Sequence, residues 1–81
     1  MAKAFKPTVM YFVIDANGVR QTKTLTLPTY AEVKKRMKAF MNESMDENVH
    51  VYRHRRGEWG EWFEFWVRVG GKCEISHKGW Q

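Results

Sequence analysis

The residue types able to do chemistry gather in the second half of this 81-residue chain. His50 and His54 share one strand parity, Glu64 lies among Arg53, Arg55, Arg56 and Arg68, and Cys73 is followed by His77. A general acid–base ribonuclease needs a His or Glu beside cations that hold phosphate, and these residues meet that need in composition only. Their spacing adds nothing to it. On extended backbone His50 and His54 stand about 13 Å apart, at about 3.3 Å per residue, too far to share one metal ion. With Cys73 and His77 they make no zinc-type spacing. Cys73 in a short strand reads as a small buried thiol. Gly70-Gly71-Lys72 lacks the strand-to-helix setting of a phosphate loop and reads as a turn. No catalytic centre, metal or cofactor is expected.

A second chemistry needs no catalytic group. Four Trp, three Tyr and five Phe make up 15% of the chain and accompany a net charge of +5. Flat rings stack on exposed bases while Lys and Arg neutralise phosphates. Tyr52, Trp62 and Trp66 are the candidate stacking groups, and Arg53, Arg55, Arg56 and Arg68 the candidate phosphate contacts. Lys34, Lys35 and Lys38 supply a further basic flank. Arg56-Gly57-Glu58-Trp59-Gly60 shares Arg-Gly with the RNA-recognition signature. Its aromatic falls one place late, however, and that fold needs a second helix, so the segment reads as a basic hairpin tip.

The elements that must position these residues follow from periodicity. Residues 8 to 14 are almost wholly apolar, aromatic or β-branched and run into Asp15-Ala16-Asn17-Gly18, a strand entering a tight turn. Residues 19 to 27 place Val19, Leu25 and Leu27 on one parity and Arg20 with three Thr on the other, which completes a hairpin. The first strand, apolar on both parities, belongs inside the sheet. Thr29 with Glu32 marks a helix start with a capping box, and Tyr30, Val33, Met37, Phe40 and Met41 form its apolar stripe. From Val49 the period returns to two, and three further strands follow. The expected fold is α+β in two layers, an antiparallel sheet of four to five strands with one helix on one face, order ββαβββ. It forms a single domain over 1–81 with a short flexible start at 1–6.

One helix cannot cover both faces of such a sheet. Phe63, Phe65, Val67 and Val69, with Val49 and Val51, are the expected partners of the helix stripe. His50, Tyr52, His54, Trp62, Glu64, Trp66 and Arg68 are then left on the uncovered face. The reading this supports is a non-catalytic module that binds nucleic acid through an aromatic and basic sheet face and a basic hairpin. The alternatives are a protein-binding inhibitor or adaptor that meets an acidic protein surface, a homodimer closed over that face, and, less favoured, a toxin-like ribonuclease. A lone Cys73 excludes an intramolecular disulfide and fits a cytoplasmic protein. The apolar run Val9–Ile14 is too short for a membrane span, so no membrane partner is expected. In size and layout alone the chain resembles small phage- or plasmid-encoded accessory proteins, including inhibitors of host defence complexes, which act by binding. No motif carries that resemblance and it assigns no residue.

Overall fold

The computed structural model describes residues 6–54 and 61–80. Its elements are β1 (Thr8–Ile14), β2 (Arg20–Thr26), α1 (Tyr30–Glu43), β3 (Asn48–His54), β4 (Glu61–Val69) and β5 (Lys72–Trp80). Every neighbouring pair of strands is antiparallel and the sheet runs β2-β1-β3-β4-β5. The α+β fold of order ββαβββ is therefore the one formed, with five strands and with β1 inside the sheet. The expected hairpin tip at 55–60 and residues 1–5 of the expected flexible start lie outside the described residues. No described helix is long and apolar enough to cross a membrane.

Local chemistry sets the boundaries. Asp15 Oδ1 accepts from the backbone N–H groups of Asn17 and Val19, both at 2.9 Å, and Gly18 takes the left-handed position of that turn at φ 77°. Thr29 accepts from the Glu32 N–H at 3.2 Å, one half of the capping box. Ser44 ends the helix, its N–H on the Phe40 carbonyl and its hydroxyl donating to the Asn48 carbonyl at 2.8 Å. Gly70 and Gly71, at φ 57° and 83°, close the β4–β5 hairpin as a two-residue turn under the Val69–Lys72 pair. Ser76 is the extra residue of a bulge in β5 opposite Phe65 and Trp66.

The core lies between the helix stripe and strands β1 and β3. Val33, Met37, Phe40 and Met41 pack on Val9, Tyr11, Val49 and Val51, with Leu27 beside them, and all are buried. Burial of each such side chain stabilises the fold by about 1.5–3 kcal/mol. The Tyr11 hydroxyl leaves this core to donate to Glu43 Oε1 at 2.5 Å, where Lys23 Nζ also reaches both carboxylate oxygens.

The strand register reverses the expected phase of β4. Val49 pairs with Trp66, Val51 with Glu64 and Arg53 with Trp62, while His50 pairs with Phe65 and Tyr52 with Phe63. Directly opposed residues share a face. Trp62, Glu64, Trp66 and Arg68 therefore belong to the helix side, and Phe63, Phe65, Val67 and Val69 to the face without a helix. The phase expected from hydrophobicity fails because Glu64 is not solvated: it is 3% exposed and anchored by donors from three elements. The indoles themselves complete the layer beside the helix.

Candidate functional site

Two surfaces result, one on each side of the sheet. On the helix side one row across the strands reads Leu25–Val9–Val51–Glu64–Lys78, and beyond it lies Arg53–Trp62–Trp80. Glu64 holds this end together. Its Oε1 accepts from the Tyr30 hydroxyl at 2.6 Å and from Trp66 Nε1 at 3.0 Å. Its Oε2 accepts from Trp62 Nε1 at 2.9 Å and lies 3.5 Å from an Arg53 terminal nitrogen. A carboxylate offers about four lone-pair positions. These four donors occupy them, so Glu64 serves as an anchor and has no acceptor to spare for general base work. Burial, and then the bond to Glu64, raise the pKa of the Tyr30 hydroxyl above its ordinary value, which keeps it a donor.

Around that anchor the cations and rings interleave. The Arg53 guanidinium lies 4.1 Å from the Tyr30 ring centre and 5.7 Å from that of Trp62. Lys34 Nζ is 5.7 Å from the Tyr30 ring centre. Such placements are attractive through the ring quadrupole. Trp62 meets Trp80 edge-on, centres 5.5 Å apart, and Trp80 is 47% exposed. Lys34 and Lys78 are exposed at the margins.

Among the described residues no helix covers the other side of the sheet. One row reads Thr26–Thr8–Tyr52–Phe63–Gly79 and the next Thr24–Met10–His50–Phe65–His77. Phe12, Ile14, Val67 and Val69 extend it toward the Gly70–Gly71 turn. Its rings pack on one another: His50 stacks with Tyr52 at 6.3 Å and 8°, and meets Phe65 at 4.8 Å, which in turn meets His77 at 6.2 Å. Burial lowers the pKa of His50 below its ordinary value.

The residues expected to form one surface are thus divided. Arg53, Trp62, Trp66 and Lys34 come together around Tyr30 and Glu64. Tyr52 stands on the opposite face. Arg68 is at the far end of β4, where it donates to Asn42 Oδ1 and lies 3.2 Å from the Glu47 carboxylate, joining the strand to the last turn of α1 and the chain that follows it. Lys35 and Lys38 are exposed on α1. Arg55, Arg56 and the His54 side chain lie outside the described residues. Sequence reasoning missed Tyr30, Trp80 and Lys78 on the helix side and Phe63 and Phe65 on the open one. The signal for the first group was present in Trp62-x-Glu64-x-Trp66, where two indole N–H donors flank a carboxylate on one strand parity. Among the described residues no three His, Cys, Asp or Glu side chains gather to hold a metal ion. Comparison with protein-family models, with curated proteins and with solved structures finds no match to this chain in any of the three.

Proposed function

We propose that this protein is a non-catalytic module that binds single-stranded nucleic acid on the helix side of its sheet, through Tyr30, Arg53, Trp62 and Trp80 with Lys34 and Lys78 at the margins. The observation that carries this reading is the row Arg53–Trp62–Trp80, two indoles beside a guanidinium at one end of a chain of net charge +5. Stacking on such rings contributes about 1–3 kcal/mol per base and tolerates any base, because each has a π-face. Lys34 and Lys78 form no ion pair among the described residues and can meet phosphate. The test is a titration of the whole protein with short single-stranded DNA and RNA, followed by Trp fluorescence. Quenching is expected, with an affinity that falls steeply as salt rises. It is expected to weaken by on the order of tenfold or more in Trp80→Ala. A flat titration at low salt, with the protein folded, would reject the proposal.

A further inference from the structure

We propose that the open face of the sheet, centred on His50, Tyr52, Phe65 and Val67, is where a second copy of this chain docks. Between Thr8 and Ile14, Asn48 and Tyr52, and Phe63 and Val69, no residue on that face is Asp, Glu, Lys or Arg; in the sheet, charge enters that face at its margins, at Arg20, Lys72 and Glu74 on the edge strands and at Glu61, which pairs with His54 at the start of β4. The positive excess sits elsewhere, with Lys34, Lys35, Arg36 and Lys38 exposed on α1 across the sheet. Two copies of a chain at +5 repel one another in most orientations, and packing through a nearly neutral face sets the charged helices farthest apart. An acidic partner gains little from the centre of that face, because its cations, Arg20 and Lys72, stand only on the edge strands and the lysines of α1 lie across the sheet.

Area and composition point the same way. Five strands about 4.8 Å apart and about 20 Å long project roughly 500 Å², before the relief of the side chains is added. With that relief the face approaches the lower end of specific interfaces, about 600 Å² per partner. Contiguous apolar patches of a few hundred Å², such as the centre of this face, are often functional. An apolar, aromatic centre with Thr22, Thr24 and Thr26 along one rim and His77 and Glu74 along the other has the anatomy of a protein interface. The stacked His50–Tyr52 and tilted His50–Phe65 contacts hold the rings in place before association, so little side-chain freedom is lost on docking. Because the same patch serves both partners, the contact is two-fold and closed.

The experiment is the mass of the full chain in solution, measured by sedimentation or light scattering across a dilution series. A mass of twice 9.7 kDa is expected, falling toward 9.7 kDa on dilution. Val67→Glu sets a carboxylate in the centre of the contact and is expected to raise the dissociation constant on the order of a hundredfold, with far-UV circular dichroism unchanged. Val67→Thr, closer in shape, keeps the test available if the Glu variant unfolds, and is expected to weaken association less. A single-copy mass at every concentration overturns the proposal, as does a folded Val67→Glu that associates like the parent. A monomer whose oligonucleotide binding is lost in Phe65→Ala would also overturn it, by giving the face to nucleic acid. Trp80→Ala is expected to leave the mass unchanged, so failure of the nucleic-acid reading and failure of the dimer are told apart.

Discussion

The Tyr30 hydroxyl donates to Glu64 Oε1 at 2.6 Å, which fastens the first turn of α1 to β4 through a carboxylate that is 3% exposed. Removing an acceptor shared by four donors leaves all of them buried or half-buried without it, and a buried charge that loses its partner is costly. Glu64→Ala is therefore expected to destabilise by about 3 kcal/mol. Glu64→Gln keeps one acceptor oxygen but turns an amide N–H₂ toward donors, and should cost less. Tyr30→Phe removes one charge-assisted bond and should cost about 1.5–2 kcal/mol. Urea unfolding of the three variants checks the order, and a Glu64→Ala protein as stable as the parent would show that the anchor carries no stability.

At the β4–β5 turn the backbone, not packing, is limiting. Gly71 sits at φ 83° with open space where a Cβ would go. Gly71→Ala meets no clash but places an L-residue in the left-handed region, at about 1 kcal/mol. Gly71→Asn should cost less, since Asn tolerates that region. Thermal unfolding of the two variants gives the comparison, and equal losses would contradict a backbone origin.

The helix and the first hairpin were legible because local chemistry fixes them. Thr29 caps the helix whatever it packs on, the Tyr30–Val33–Met37–Phe40–Met41 period sets its buried face, and Asn17-Gly18 allows the left-handed turn. The faces of β4 were not legible from alternation, because both parities of Trp62-Phe63-Glu64-Phe65-Trp66 are aromatic. The choice between them was made by long-range partners: Tyr30, 34 residues before Glu64, and Val51 opposite it in the register. Hydrophobicity alone favours hiding the Phe parity. A carboxylate with four donors is cheap to bury, and the indoles that supply two of them carry enough apolar area to close the layer. The aromatic and basic character of the candidate site was therefore visible in the sequence, whereas its side of the sheet was not.

His50 makes stability depend on pH. Its ring lies between Met10 and Phe65 across the strands and against the Tyr52 phenol along its own; His77 lies beyond Phe65, and the register puts His54 and Glu61 beyond Tyr52 on the same face. Burial places its folded pKa below the ordinary 6.5. Well above 6.5 the ring is neutral in both states and nothing changes. As pH falls through 6.5 the unfolded chain takes the proton first, so stability is lost on the acid side. The urea midpoint should therefore decline from neutral pH toward pH 5, and His50→Gln should flatten the decline. Glu43, held below its ordinary 4.5 by the bonds from Lys23 and Tyr11, gives a separate loss at lower pH. A midpoint that stays level until that second window would refute the role of His50.

Lys34 and Lys38 differ by one helical turn and should differ in function. Lys34 reaches the Tyr30 ring beside Arg53 and Trp62, whereas Lys38 makes no described contact with that cluster. If phosphate runs past the two indoles, Lys34→Ala removes a counterion-releasing contact, lowering affinity and reducing the salt slope by about one. Lys38→Ala removes the same formal charge from the same helix and should change the slope little. Both residues are exposed, so neither change should alter stability measurably. Oligonucleotide titrations of the two variants at several salt concentrations make the comparison. Equal losses would mean that only net charge attracts the strand, and unequal losses in the expected order would fix its path along Tyr30, Trp62 and Trp80.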